Sequence, residues 1–179
     1  SPGRARRICA MVRRAGAYSC VDGVSYAPHG LPDIGRIGAD IYLFSTYKTY
    51  GPHQGIMVVR GALAQRLPNQ AHDFNGDDPT KRFTPAGPDH AQIAACGGIA
   101  DYIDALYHYH DKAGRDATGR AGAIRDAMRA REALLMRPLL EYLQDRPALR
   151  LLGPRRLRAR APTFARSEER RVGKECATG

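Results

Sequence analysis

The chain has 179 residues, a net charge of +10 and an apolar share of 43%, enough for one globular domain with a real core. No stretch approaches the roughly 20 apolar residues that span a bilayer, so no membrane partner is expected. Four scattered cysteines, Cys9, Cys20, Cys96 and Cys176, form neither a disulfide framework nor a CxxC pair. That argues for a reducing, cytoplasmic setting and against a zinc ribbon.

Basic residues crowd both ends, from Arg4 to Arg14 and from Arg155 to Arg166. No nucleic-acid module accompanies them, and no aromatic residues interleave with them as a stacking surface requires. A basic nucleic-acid-binding module is therefore the alternative reading, and no nucleic acid is expected as a partner. The opening Ser1-Pro2-Gly3-Arg4 has neither an initiator methionine nor a secretory pattern. At the other end, the run RSEERRVGKEC from Arg166 to Cys176 resembles the in-frame translation of a sequencing-library adapter, so residues 166–179 are expected to be a non-native tail. The chain then reads as an interior fragment.

In chain order, Ile8 to Ala15 predicts a short amphipathic helix with Ile8, Met11, Val12 and Ala15 on its apolar face, closed by Gly16. Ala17 to Val21 predicts a buried parallel strand that ends at Asp22-Gly23. Tyr26 to Arg36 reads as a loop with one helical turn around Asp33 to Arg36. Strands follow at Ala39 to Ser45 and Gly55 to Val59, then a short helix from Gly61 to Leu67. Pro68 to Pro88 is a long polar excursion.

Two helices are then predicted. His90 to His110 has Ile93, Ala94, Gly97, Ile99, Ile103 and Leu106 on its apolar side. Thr118 to Asp145 has Ile124, Met128, Leu135, Leu139 and Leu143, with Pro138 expected to kink it or end its first part. Leu149 to Gly153 predicts the opening strand of a further domain. This succession is the grammar of an α/β layer.

Two residues carry the chemistry. Asp22 stands at the carboxyl end of a predicted parallel strand, where α/β sheets place their ligands, although Asp-Gly is also an ordinary turn pair. Lys48 lies just past the end of the next strand and is expected to be enclosed by Phe44, Tyr47, Tyr50 and Pro52, which would leave its amine less hydrated and more nucleophilic. An acid and a lysine on one sheet edge suit pyridoxal phosphate, which needs an amine to attach to and a carboxylate to keep its ring nitrogen protonated.

The segments VDGVSYAPH (Val21 to His29) and GADIYLFSTYKTYGPHQG (Gly38 to Gly55) resemble the class V aminotransferase and cysteine desulfurase family. The family pattern is an Asp at a strand end, then Ser-x-x-Lys, then Gly-Pro and another Gly. Asp22, Ser45, Lys48, Gly51, Pro52 and Gly55 match it. The resemblance implies a fold type I α/β domain with a mixed, mostly parallel sheet, a homodimer, an amino-acid substrate and pyridoxal 5'-phosphate as cofactor. It implies that Lys48 is the Schiff-base lysine, that Asp22 pairs with the pyridinium nitrogen and that Ser45 contacts the phosphate. Cysteine desulfurases place Gln where Ser25 stands and His where Tyr47 stands. These departures, with Ala27-Pro28-His29, point toward a cysteine-desulfurase-like or isopenicillin-epimerase-like branch. FTPAGPDH (Phe83 to His90) resembles the family's Gly-Thr-Pro loop, which reaches the phosphate across a dimer; Gly87 replaces its threonine, leaving backbone N–H groups to meet the phosphate.

His29 and His53 are read as active-site neighbours, either with a role in proton transfer or substrate contact or as simple loop hydrogen-bonding residues. No metal site is expected, because His108 and His110, the one tight histidine spacing, do not share a helix face. Residues 1–116 are assigned to the cofactor-binding domain, and residues 117–165 to a linking helix and the start of a small C-terminal domain.

Overall fold

The computed structural model describes residues 2–84, 87–111 and 113–168. Pro85 and Ala86 of the Phe83 to His90 loop, Cys176 and the greater part of the adapter-like tail lie outside the described residues. Two compact units are present, the first running to Asp126 and the second starting at Ala127.

The first unit opens with α1 (Pro2–Arg14). A glycine at φ 74°, Gly16, lets the chain leave that helix and enter β1 (Cys20–Asp22). Next comes a short 3-10 turn, Ala27–His29, and then α2 (Ile34–Ile37), whose N-terminus is capped by Asp33 accepting from the Arg36 N–H at 2.8 Å. β2 (Ile41–Ser45), a 3-10 turn at Thr46–Lys48, β3 (Gly55–Val59) and α3 (Gly61–Ala64) follow.

The sheet order is β1-β2-β3. β1 and β2 are parallel, with Asp22 opposite Leu43, whereas β2 and β3 are antiparallel, with Ser45 opposite Gly55. Because side chains alternate across a strand, Val21, Tyr42 and Phe44 share one face and Asp22, Leu43 and Ser45 the other. The first face carries the core: Tyr42 packs with Cys9 of α1, Ile37 of α2 and Ala39, and Ala5, Val21, Ile34 and Phe44 border them.

Three expectations need correction. In α1 the buried position is Cys9, while Ile8 and Met11 are exposed, because Ala5 and Cys9, one turn apart, are the pair that meets the sheet. β1 is shorter than the strand predicted from Ala17, and its two ends, Cys20 and Asp22, are exposed rather than buried. The single helix expected from His90 to His110 is two, α4 (His90–Ala95) and α5 (Gly97–His110), meeting at Cys96. Asp89 caps α4, accepting from the backbone and side-chain N–H groups of Gln92 at 3.1 and 2.9 Å. The core face of α5 is Ile99, Ile103 and Tyr107.

α6 (Ala117–Gln144) runs through Pro138 without a break in its assignment. In the second unit its buried stripe is Met136, Leu140 and Leu143; Leu135 and Leu139, expected inside, are exposed. Both stripes are leucine-rich and lie one position apart, so periodicity alone does not choose between them. β4 (Leu149–Leu152) follows and pairs antiparallel with β5 (Ala165–Glu168). No helix among the described residues is long and apolar enough to cross a membrane.

Candidate active site

The parallel register brings Asp22 and Ser45 to the same edge of the sheet, at the carboxyl ends of β1 and β2 and on the same face. Lys48 follows in the turn that leaves β2. Asp22 is exposed, and its Oδ1 accepts from the Val24 N–H at 2.9 Å, an Asx turn that fixes the carboxylate. The turn needs Gly23, since a Cβ there would overlap the hydroxyl and ring of Tyr42, which is buried directly beneath. Burial, with the neighbouring Tyr26 and Asp22 adding to it, pushes the Tyr42 hydroxyl up to about 12, so it stays a neutral donor under the acidic corner.

The Lys48 turn is built from two threonines that are inside the protein although neither is apolar: Thr46 is 0% and Thr49 1% exposed. Thr46 Oγ1 shares its proton between the carbonyls of Pro52 and Gln54, at 2.5 and 2.9 Å, and accepts from the Gln54 N–H at 3.2 Å. Thr49 Oγ1 donates to the Ser45 carbonyl at 2.9 Å. The N–H groups of Thr49 and Gly51 both reach the Thr46 carbonyl, at 2.7 and 2.9 Å. Every buried polar group of the turn thus has a partner, which a buried hydroxyl requires. Sequence reasoning missed both threonines; the available signal was that each directly flanks the lysine turn. Gly51 brings α5 onto this turn, because a Cβ there would stand 2.7 Å from Ile99 Cδ1.

Lys48 itself is exposed, which corrects the expected enclosure. Of the four residues expected around it, Phe44, Tyr50 and Pro52 make contacts elsewhere, while Tyr47 stays beside it. Phe44 borders the core beside Tyr42, and the Pro52 carbonyl is taken by Thr46. Tyr47 stacks on His53 with ring centroids 4.6 Å apart, and Tyr50 turns toward Pro28 and Tyr102. The Lys48 ammonium stands 5.7 Å from the Tyr47 ring centroid, within the range of a cation–π contact.

The remaining candidates are distributed as follows. His29 is half-buried at the end of the Ala27–His29 turn, which Tyr50 joins to the lysine turn through its hydroxyl, donating to the Pro28 carbonyl at 2.9 Å. Ser25 is exposed on the turn just after Asp22. Gly87 is exposed ahead of α4. The structure therefore gathers Asp22, Ser45, Lys48 and the His29 turn at one edge. Cys9, Cys20 and Cys96 are free thiols, and no group of metal-ligating side chains occurs among the described residues.

Further back, Asp40 anchors the start of β2. Its Oδ2 accepts from the Ser19 N–H and hydroxyl, both at 2.9 Å, and Arg60 Nε lies 3.3 Å from Oδ1. The Ser19 N–H first, then its hydroxyl and the charge of Arg60, hold this buried carboxyl below the usual carboxylate range against the opposing cost of burial.

A parallel strand pair with an acid at one strand end and a lysine turn leaving the other, with α1 and α2 packed on its Tyr42 face, is an α/β layer of the kind that places ligands at its carboxyl edge. Residues 4–106 match the family model described as aminotransferase class-V, and the chain belongs to that family. It is similar to the aminotransferase-like protein FGM3 of Gibberella zeae, 32% identical over 139 residues that cover 77% of this chain and 31% of that protein. It is also similar to a cysteine desulfurase of Dickeya dadantii, 30% identical over 168 residues that cover 85% of this chain and 37% of the relative. The chain thus spans about a third of the length of these curated relatives.

Among solved structures, an apo cysteine desulfurase from Thermococcus onnurineus NA1 superposes with a TM-score of 0.64 at 19% identity, covering 91% of this chain and 40% of that one. The cysteine desulfurase CsdA of Escherichia coli superposes with a TM-score of 0.62 at 20% identity, covering 92% and 39%. The fold is accordingly the α/β fold of the type I group, present here as a partial, mixed sheet with its helices.

Proposed function

We propose that this chain carries the cofactor-attachment part of a pyridoxal-phosphate-dependent enzyme that acts on an amino acid, of the class V aminotransferase or cysteine-desulfurase-like type. The observation that supports this most is the shared edge: Asp22 and Ser45 close neighbouring parallel strands, and Lys48 sits in the turn that follows. The donor set fits the group. An exposed amine, an exposed carboxylate and a hydroxyl are what an aldehyde, a ring nitrogen and a phosphate require.

In this reading Lys48 is the point of covalent attachment and, once released, the base that takes the Cα proton of the substrate. Asp22 accepts a hydrogen bond from the ring nitrogen and keeps its proton in place. Ser45 donates to the phosphate, the Gly87 N–H adds to that cradle, and Ser25 stands where the ring hydroxyl is met. His29 relays a proton or contacts the substrate. When bound, pyridoxal phosphate supplies an electron sink for the charge left on the substrate carbon.

Residues 117–165 are read as a linking helix and the beginning of a second domain. The homodimer implied by the family completes the assembly. A length about a third of the relatives supports the further reading that these 179 residues alone do not turn over substrate.

The test is to express the complete reading frame, add pyridoxal phosphate and record visible absorption for wild type, Lys48→Ala and Asp22→Asn. A bound, coloured wild type with a visible band that Lys48→Ala lacks supports the reading. A folded wild type that takes up none contradicts it.

A further inference from the structure

Tyr50 is the one non-glycine residue with positive φ among the described residues, at 66°. A tyrosine gains nothing locally from the left-handed region, so the surroundings must over-determine it. They do so on three sides. The Thr49 and Gly51 N–H groups, one on each side of it, are both tied to the Thr46 carbonyl. Gly51 is pressed against Ile99 of α5. The Tyr50 ring lies 5.0 Å from that of Tyr102, on the same helix.

The strained backbone aims the side chain outward and across to the neighbouring loop. There the hydroxyl donates to the Pro28 carbonyl at 2.9 Å, twenty-two residues away in sequence. Pro28 is the centre of the Ala27–His29 turn, whose own closure is the His29 N–H to the Tyr26 carbonyl at 3.0 Å. The register of β1 and β2 fixes Asp22 against Leu43 but ends there. Beyond the strand ends the two loops leave the sheet separately, one carrying His29 and the other Lys48, and the Tyr50 hydroxyl joins them.

We propose that Tyr50 is a positioning residue: through the Pro28 carbonyl it holds His29 in place at the edge that carries Lys48. This inference rests on the pyridoxal-phosphate reading of that edge. The conservative variant is Tyr50→Phe, which keeps the ring and its contact with Tyr102 and removes the hydroxyl that donates to the Pro28 carbonyl. Tyr109→Phe, on a tyrosine that is 82% exposed, is the control.

Two readouts on the complete protein decide the matter. In hydrogen exchange, Tyr50→Phe should speed exchange of amides in Ala27 to Gly30 by about 3- to 10-fold, the usual worth of one hydrogen bond, and leave α5 unchanged. With pyridoxal phosphate bound, the pH midpoint of the visible band should shift in Tyr50→Phe and stay fixed in Tyr109→Phe. Unchanged exchange at residues 27–30, or faster exchange spread evenly over the chain, overturns the link. Faster local exchange with an unmoved midpoint overturns the positioning role. Failure of the underlying reading looks different, since wild type and both variants would then all remain colourless while the exchange result still reports on the link.

Discussion

The hydroxyl end of Tyr42 fills the space that a Cβ on Gly23 would occupy. This packs the acidic corner of the sheet directly onto the core, because Tyr42 is a fully buried side chain and joins Cys9, Ile37 and Ala39. Gly23→Ala must therefore displace either the Tyr42 ring or the Asp22–Val24 turn. Overpacking of this kind typically costs about 1–3 kcal/mol. Urea denaturation of the variant is expected to show a loss in that range. A variant as stable as wild type would mean that the turn yields freely and that Asp22 is not held.

Thr46 makes a second, independent prediction. Thr46→Val keeps the shape of the side chain and removes the hydroxyl from its bonds to the Gln54 N–H and the Pro52 and Gln54 carbonyls, which keep only the backbone bonds Gln54 N–H to Pro52 carbonyl at 2.8 Å and Thr46 N–H to Gln54 carbonyl at 2.9 Å. The expected cost is about 0.5–1.5 kcal/mol. Because the lysine turn depends on this network, Thr46→Val should also weaken pyridoxal-phosphate binding, whereas Thr46→Ser, which retains the hydroxyl, should restore most of both. Equal behaviour of the valine and serine variants would remove the network from the account.

Asp40 sets the response to acid. Its folded-state carboxyl lies below the ordinary value of about 3.9, so its contribution to stability is fully present above that value and is lost as pH falls through the lower, folded one. Asp40→Asn is expected to lose about 1–3 kcal/mol at neutral pH, since the Ser19 hydrogen bonds to a charged acceptor go with it. It should also flatten the acid limb of the stability curve. Denaturation midpoints measured across the acid range test this, and an Asn variant with the acid limb of wild type would contradict it.

The parts of the site that were legible in the sequence are those fixed by strand ends. Asp22 and Ser45 each close an apolar run, and a parallel pairing of such runs puts their ends on one edge whatever surrounds them. Side-chain direction beyond the strands was not legible. Tyr47 and Tyr50 flank Lys48 in sequence, but Tyr50 reaches to Pro28, Tyr47 is shared between His53 and the ammonium, and the lysine is left exposed.

The same holds for faces. Ile8 and Met11 look as apolar as Cys9, and Leu135 and Leu139 as apolar as Met136 and Leu140, yet the element that happens to lie opposite decides which stripe is covered. Thr46 and Thr49 were invisible for a different reason: a threonine is read as polar surface unless its partners, here backbone carbonyls up to eight residues away, are known.

The most direct measurement is borohydride reduction of the complete protein after exposure to pyridoxal phosphate, followed by mass mapping of its peptides. The account predicts one stoichiometric pyridoxyl modification, on the Lys48 peptide, absent from Lys48→Ala. Modification spread over Lys81 and other surface amines, or confined to a lysine other than Lys48, would contradict it.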